Sequence, residues 1–377
     1  MKFGRISLTL LSLFILVASS ACGADRTAQP EDNKTEEKPV ANSQPVTLTM
    51  YNWGTNFNDD EFQKLIVEPV QKKYPHITIN QIKRGPGTGP QDIAVNGTQI
   101  DFIATNNDTL GEFQRLGYLY DISSDIKKEN IDLNRFTKEG LDRGKLIDGQ
   151  LVGLPLNIYP VALFYNKDIF DRFGVAYPKD GLTWDEVIEL AKILTRNENG
   201  QQYRGFDPQV VYALASSLPI DILDPRTDKA SVLNDQWRMV LDVYKKIVTI
   251  PGNTPKGTTF AQLVEGFLKD KNVAMHASNM FVQMEEATKN GFNWDIAQYP
   301  QYKGYPNIGG GGQSNIVAVS KTSKHKEEVM KVIGVMLSDE VHLLGASRYA
   351  RLSALKDQKF KDAYGKDVPY LKGKNIQ

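Results

Sequence analysis

The sequence predicts an α/β protein with two domains or lobes, and three observations support this. Val46, Leu48 and Met50 alternate with polar residues as in a strand, and a helical pattern begins near Asp59. Strand-like and helix-like segments then follow one another, which favours a parallel sheet covered by helices. The 377 residues are enough for two domains. Cys22 is the only cysteine, so no disulfide can form within the chain and the core alone must stabilise the fold.

Further elements follow the same alternation. Thr183 and Glu186 form a predicted capping box at the start of a helix, and Asn107 or Asp108 is expected to cap another. The remaining strands are predicted at residues 77–82, 100–104, 161–165, 273–276 and 315–320. The remaining helices are predicted after Pro90 and at residues 236–247, 259–269, 281–289 and 323–337.

The first 21 residues have the layout of an export signal. Lys2 and Arg5 precede an apolar run that is too short to span a bilayer, and small residues lead to Cys22. A cysteine in this place resembles the lipidated residue of bacterial lipoproteins; the alternative is ordinary cleavage near Ala21 with a free thiol. Residues 22–45 are polar and are expected to form a disordered tether. We therefore expect a lipid-anchored protein on the extracytoplasmic face of the cell membrane.

Charge and motifs exclude several classes of function. The 45 basic and 45 acidic residues balance, and without residues 1–21 there are 43 against 45, which gives no reason to expect nucleic-acid binding. The four histidines are scattered, and the chain has no phosphate-binding loop and no nucleophile elbow. We predict no enzyme activity, no metal and no cofactor. A carboxylate pair far apart in sequence would escape this search, so a secreted, lipid-anchored hydrolase stays an alternative.

Five segments, in this order, resemble family 1 extracellular solute-binding proteins, the substrate receptors of ABC importers. No single segment is specific, but their order and spacing between Val46 and Leu355 are. They are Leu48–Gly54, Asp101–Ala104 with Leu116–Asp121, Gly149–Pro155 with Leu163–Lys167, Leu182–Glu186, and Val273–Met275 leading to Gly309–Gly312. The chain ends where family members usually continue with further helical segments, which leaves open a fragment or an early-terminated product.

The resemblance implies a two-lobe periplasmic-binding-protein-like (Venus flytrap) fold, with a hinge and a ligand cleft between the lobes. Lobe 1 would hold residues 46–156 with 309–350 returning to it, and lobe 2 residues 157–308 with part of 351–377. The implied protein is a monomer that delivers a small polar solute to ABC permease subunits. Its ligand would be a mono- or oligosaccharide, although related families also bind polyamines and ferric ion. A binding protein that serves a membrane sensor remains an alternative.

Candidate ligand-binding residues of the first lobe follow the ends of predicted strands. Trp53 is predicted as an aromatic wall of the cleft, with a core position as the alternative. Asn106 and Asp108 could bond ligand hydroxyls, or they could only cap a helix. Tyr159 lies at the predicted crossing between the lobes, where a hinge role and a ligand contact are equally open.

The other candidates lie later in the chain. Phe206, within a predicted loop, could face the cleft or pack inside lobe 2. Asn279 and Phe281 follow a buried strand at a place where the family often has a cleft aromatic. The pair Gly311–Gly312 would let a ligand approach the backbone, or it is a plain crossover turn. Arg351 could reach the ligand or pair with an acid on the surface.

Overall fold

The computed structural model describes residues 44–376, apart from residues 56, 209, 221, 225–228, 258, 282, 307 and 309–312. The predicted export signal, Cys22 and the tether lie outside the described residues, as do Gly311 and Gly312. The strands are β1 (Val46–Asn52), β2 (Ile77–Lys83), β3 (Phe102–Asn106), β4 (Gly153–Ile158), β5 (Ala162–Asn166), β6 (Arg196–Glu198), β7 (Gln201–Asp207), β8 (Leu223–Asp224), β9 (Lys229–Ala230), β10 (Val273–Ser278), β11 (Trp294–Gln298), β12 (Ser314–Val319) and β13 (Leu352–Ser353).

The helices cover the sheets and occupy most of the predicted positions. The α-helices are α1 (Asp59–Phe62), α2 (Glu68–Lys73), α3 (Pro90–Val95), α4 (Leu110–Arg115), α5 (Ser123–Lys128), α6 (Lys138–Asp142), α7 (Lys167–Phe173), α8 (Trp184–Leu194), α9 (Asp235–Val248), α10 (Phe260–Leu268), α11 (Gln283–Lys289), α12 (Lys326–Met336), α13 (Asp339–Tyr349) and α14 (Gln358–Ala363). A π-helical stretch, Gln63–Val67, joins α1 to α2, and 3-10 turns lie at Asn107–Thr109, Leu133–Arg135, Val211–Ser217 and Pro369–Leu371. Along the described residues, no helix combines the length and the apolar character needed to span a membrane.

Of the two helix caps predicted from the sequence, one is confirmed and the other is wrong. The predicted capping box of α8 is present, because the Thr183 amide donates to the Glu186 carboxylate at 2.7 Å. The prediction that Asn107 or Asp108 caps the next helix is wrong: neither makes a side-chain cap bond, and a 3-10 turn precedes α4. Their side chains are engaged by the returning chain instead, as described below.

The first sheet has six strands in the order β13-β4-β12-β3-β1-β2. β1 pairs in parallel with β2 and β3, whereas β12 is antiparallel to both β3 and β4, and β13 is antiparallel to β4. The parallel pairing expected from the sequence is therefore confirmed for β1, β2 and β3, but the sheet as a whole is mixed. Strand–helix alternation dictates parallel pairing only for neighbours joined by a helical crossover. β12 enters after a long excursion through the second sheet, so that rule does not apply to it.

The second sheet has five strands in the order β11-β5-β10-β7-β6, and β8 and β9 form a separate hairpin. β10 is parallel to β7, and the other pairs are antiparallel. Phe206 lies in β7, so the predicted loop at this point is wrong. Gly205, which suggested a turn, serves packing: a Cβ atom there would lie 2.1 Å from the carbonyl oxygen of Ala191 in α8.

Each sheet has its own hydrophobic core. Apolar residues of β1 and β3 pack with those of α12 beneath the first sheet. Separate clusters cover the two faces of the second sheet, where Trp184 packs edge-on against Phe206 at a ring distance of 5.8 Å. Burying a large apolar side chain contributes about 1.5–3 kcal/mol. Each sheet is therefore stabilised by apolar packing of its own.

Three segments connect the two sheets. Residues 159–161 join β4 to β5, and residues 299–313 join β11 to β12. The third is the C-terminal segment. Phe360 packs in the first core, whereas Leu371 packs in the second, and Lys374 donates to the carbonyl oxygen of Trp294 in β11.

Candidate functional site

The strand directions bring five segments to one edge of the first sheet. β1, β3 and β4 end at this edge, while β12 and β13 begin there because they run in the opposite direction. Trp53, Asn106, Tyr159 and Arg351, all predicted from the sequence, adjoin these strand ends. Only three residues separate β4 from β5, so the start of β5 lies within about 14 Å of the end of β4. The edge therefore lies close to the second sheet.

Three asparagines form a row across this edge. Asn315 on β12 is in register with Asn106 on β3 and with Asn157 on β4, and its Nδ2 donates to the Asn157 Oδ1 at 2.9 Å. Within the described part of the chain, three buried atoms of the row have no hydrogen-bond partner: Asn106 Oδ1, Asn157 Nδ2 and Asn315 Oδ1. Each unsatisfied group costs about 1–3 kcal/mol. This asparagine row thus presents two acceptors and one donor without charge.

The chain leaving β1 forms a wall beside the asparagine row. The amides of Trp53 and Gly54 both donate to the carbonyl oxygen of Ala104, at 3.0 and 3.3 Å, which folds the chain over β3. A Cβ atom at Gly54 would lie 2.8 Å from the amide nitrogen of Asn106, so this approach requires glycine. The Trp53 ring is half-buried, and the Arg84 guanidinium lies over it at 4.7 Å. The ring also lies 5.9 Å from that of Tyr51 and packs against an apolar cluster, so the core alternative holds for part of its surface.

Asn107 and Asp108 hold the returning chain at this edge. The Ser314 amide donates to the Asn107 Oδ1 at 2.8 Å, and the Gln313 side-chain amide donates to Asp108. Arg143 donates to the Ser314 hydroxyl at 3.2 Å, and burial lowers its pKa. Asp108 itself is exposed. These bonds fix the start of β12, and with it Asn315.

Arg351 is committed to an internal network. Its Nε donates to the Glu61 carboxylate at 2.8 Å, and a terminal nitrogen donates to the Thr55 carbonyl oxygen at 3.0 Å and to the Tyr159 hydroxyl at 3.1 Å. Burial alone would lower the pKa of Arg351, but Tyr159 and Glu61 outweigh it and raise the pKa. The acid partner expected on the surface is in fact buried.

The candidate residues of the second sheet do not share a surface with Trp53, Asn106 and the other candidates of the first sheet. Phe206 is fully buried against Trp184, and Phe281 packs edge-on against Phe164 at 5.0 Å. Both therefore have packing roles in this structure. Asn279 is half-buried directly after β10, at the edge where β7 and β10 end.

A second polar cluster lies buried beneath that edge. Arg204 and Asp207 form an ion pair at 2.8 Å, and Asp207 is in register with His276. Burial lowers the pKa of His276 to about 4, and neither ring nitrogen has a hydrogen-bond partner among the residues that the structure describes. The Ser278 hydroxyl is likewise unpartnered. Across the described residues, no group of three or more His, Cys, Asp or Glu side chains is arranged to hold a metal ion.

Sequence reasoning missed Asn157, Asn315 and Glu61. Asn157 ends an apolar strand and Asn315 opens one. A polar residue at such a place was a usable signal, because buried polar groups need partners. Glu61 gave no signal, since an acid in the first turn of a helix is usually explained by the helix dipole.

Comparisons with known proteins agree with this architecture. Residues 56–342 match the family of bacterial extracellular solute-binding proteins. A putative binding protein of Brucella abortus is 28% identical over 206 residues, which are 52% of this chain and 48% of the relative. The chain thus spans about half the length of the curated relatives it matches.

Solved structures show the same fold. An ABC substrate-binding protein of Listeria monocytogenes in complex with cycloalternan superposes with a TM-score of 0.68 at 23% identity, over 87% of this chain and 83% of that one. A sugar transporter of Rhizobium etli in an open conformation gives 0.68 at 22% identity, over 86% and 84%. Maltose-bound MalE3 of T. maritima gives 0.62 at 20% identity, over 84% of each. The fold is the two-lobe α/β fold of periplasmic binding proteins, and the chain belongs to the family of bacterial extracellular solute-binding proteins.

Proposed function

We propose that this protein is the receptor of an ABC importer and captures a neutral saccharide between its two lobes. The observation that carries the proposal is the asparagine row, whose free amide groups lie at the edge of the first sheet beside Trp53. Open α/β sheets bind ligands beyond the carboxyl ends of their strands. The saccharides named for the structural relatives, cycloalternan and maltose among them, support the same ligand class.

The chemistry of the edge favours an uncharged ligand over a polyamine or a ferric ion. Amide oxygens and N–H groups match hydroxyl groups, which both donate and accept. The Trp53 ring can cover the apolar face of a sugar ring. The buried carboxylate of Glu61 is already bound by Arg351, so it offers no charge to a cationic ligand.

The sequence suggested residues 46–156 with 309–350 for one lobe, and residues 157–308 with part of 351–377 for the other. We place the first boundary two residues later, after Ile158, because all of β4 belongs to the first sheet. The strand membership of the two sheets and the packing of the C-terminal segment against both cores support this division. Closure of the lobes on the ligand would signal occupancy to the permease. Lipidation of Cys22 would keep a monomeric receptor beside that permease.

A thermal-shift screen of the full chain tests the ligand class. Maltose, mannobiose and cycloalternan serve as saccharide probes, with spermidine and ferric citrate as the charged comparators. We expect at least one saccharide to raise the melting temperature and the charged ligands to leave it unchanged, because a ligand that binds only the folded state stabilises it. Stabilisation by spermidine or ferric citrate alone would overturn the proposal.

Matched variants locate the site. Trp53→Ala should abolish most of the saccharide-induced shift, since it removes the aromatic wall while the asparagine row remains. Asn293→Ala, an exposed position on the other side of the second sheet, should leave the shift unchanged. If the saccharide raised the melting temperature of both variants equally, the ligand would bind away from Trp53.

A further inference from the structure

Tyr159 sits where the first connection leaves the first sheet. It directly follows β4 and is the first of the three residues that lead to β5. Its amide donates to the carbonyl oxygen of Gln313 at 2.8 Å. Gln313 is the last residue of the returning connection before β12. The two connections are therefore paired at this point, on the side of the first sheet.

The Tyr159 hydroxyl joins this pair to the Arg351 network. It accepts from Arg351 at 3.1 Å and from the Asn315 Nδ2 at 3.2 Å, and it donates to the Thr55 carbonyl oxygen at 3.1 Å. A tyrosine hydroxyl has one donor hydrogen and few acceptor sites. These three bonds use the hydroxyl fully, which leaves it little capacity for a ligand.

The buried charge of Arg351 is stabilised by all of its hydrogen-bond partners together. The side chains of Arg351 and Glu61 are 9% and 6% exposed. A buried ion pair is favourable only when its remaining hydrogen-bonding groups are satisfied as well. The Arg351 guanidinium also lies over the Phe57 ring at 4.7 Å. Tyr159 and Thr55 thus complete a site built to hold the guanidinium in one position.

Arg351 lies before the third connection. It directly precedes β13, and Phe360 further along still packs in the first core before the chain reaches the second core. There Asn375 donates from its amide to the Asp295 carboxylate at 3.1 Å. The first two connections therefore leave the first sheet through one hydrogen-bonded cluster, and Arg351 ties the start of β13 to the same cluster.

We propose that Tyr159, Arg351 and Glu61 form a hinge clasp that fixes the first two connections and the start of β13 to the first lobe. Bending of the hinge then falls beyond the clasp, at Pro160 and Val161 in the first connection. The Asn315 bond links the clasp to the asparagine row, so the clasp also positions the ligand-binding edge. Tyr159 and Arg351 are positioning residues and not ligand contacts. The link to ligand binding rests on the proposed function; the anchoring of the connections does not.

Tyr159→Phe tests the clasp, because it removes the hydroxyl and keeps the ring. Tyr299→Phe is the matched control: its buried hydroxyl donates to the Ala213 carbonyl oxygen at 2.7 Å, within the second core. Hydrogen exchange of the full chain without ligand is measured for residues 157–161 and 313–316. We expect exchange there to become about three- to tenfold faster in Tyr159→Phe, as fits the loss of hydrogen bonds worth about 1 kcal/mol, and to stay unchanged in the control.

Arg351→Lys gives a second variant, since lysine keeps the charge but cannot bridge three partners from a planar fork. It should accelerate exchange in the same two segments. Unchanged exchange in both variants would overturn the clasp, whether or not the protein binds a saccharide. Maltose affinity is then measured by titration, and a loss of about three- to tenfold in Tyr159→Phe supports the link through Asn315. Faster exchange with unchanged affinity would overturn that link alone.

Discussion

Each of the two sheets buries an arginine–carboxylate pair near the edge where the lobes are joined. The two pairs differ in whether the polar groups around them have hydrogen-bond partners. Besides its bond to Glu61, Arg351 donates to the Thr55 carbonyl oxygen and to the Tyr159 hydroxyl, which lie in separate segments of the chain. Around Arg204 and Asp207, several buried groups lack partners within the described residues. They are Arg204 Nε, Asn272 Oδ1, Ser278 Oγ and both ring nitrogens of His276.

The difference separates structural polar groups from those available for binding. In the first lobe, Arg351 and Glu61 are paired with each other, and among the described residues the buried groups without a partner are those of the neutral asparagine row. In the second lobe, the free groups lie within the core and lower its stability, since an unpaired buried group costs about 1–3 kcal/mol. Substitutions in the two regions should therefore act in opposite directions.

The largest effect is expected from Glu61→Ala, which leaves Arg351 buried without its carboxylate. Removing one partner of a buried ion pair costs about 3–5 kcal/mol. Urea unfolding of the full chain measures the loss. Glu61→Gln is the control and should cost less, because its amide oxygen can still accept from Arg351. A loss below about 1 kcal/mol in Glu61→Ala would show that the pair is not a structural unit.

The second prediction concerns the free energy of unfolding at acid pH. Burial lowers the pKa of His276 to about 4 from an ordinary value of 6.5. Between these values the unfolded chain takes up the proton and the folded chain does not, so stability is intact above pH 6.5 and falls as the pH drops to about 4. The slope from this group is about 1.4 kcal/mol per pH unit.

The matched variant for that prediction is His276→Leu, which removes the titrating ring from the second core. It should flatten the fall in the free energy of unfolding between pH 6.5 and 4. His342, whose pKa burial lowers to about 3, remains in this variant and keeps part of the slope. A pH profile identical to that of the native chain would mean that folding does not lower the pKa of His276.

The smallest changes in the free energy of unfolding are expected from two serine-to-alanine substitutions, one in each region. They give the most direct comparison of the two regions. The Ser353 hydroxyl contacts His342 Nδ1 at 2.7 Å and accepts from the Leu355 amide, so Ser353→Ala should lose about 1 kcal/mol. The Ser278 hydroxyl has no hydrogen-bond partner in the described part of the chain, so Ser278→Ala should be neutral or stabilising. Both values come from urea unfolding. The reverse order would contradict the distinction drawn between the two regions.

The sequence predicted the parts of the fold that local pattern controls. Strand β1, the loop with Trp53 and the capping box of α8 all follow from residues within a few positions of one another. The mixed pairing was not predictable in this way, because β12 joins β3 and β4 after the chain has built the second sheet. The strand containing Phe206 was read as a loop because Gly205 looks like a turn signal, although it is needed for the approach of α8.

The candidate site was predicted in part for the same reason. Residues that directly follow strands, such as Trp53 and Asn106, could be placed at the sheet edge from sequence alone. Asn157 and Asn315 could not, since their meeting depends on the register of β12 with β4. The role of Arg351 depends on Glu61, which is 290 positions away in the chain. Local pattern cannot reveal such a partner.

Calorimetric titration of the full chain with maltose, mannobiose and cycloalternan, repeated with Asn106→Ala, tests the central claim most directly. The account predicts that the native chain binds at least one of these saccharides and that the variant binds it about tenfold or more weakly, since the free Asn106 Oδ1 would receive a ligand hydroxyl. Equal affinity of the native chain and the variant would contradict the account, as would binding of spermidine in place of every saccharide.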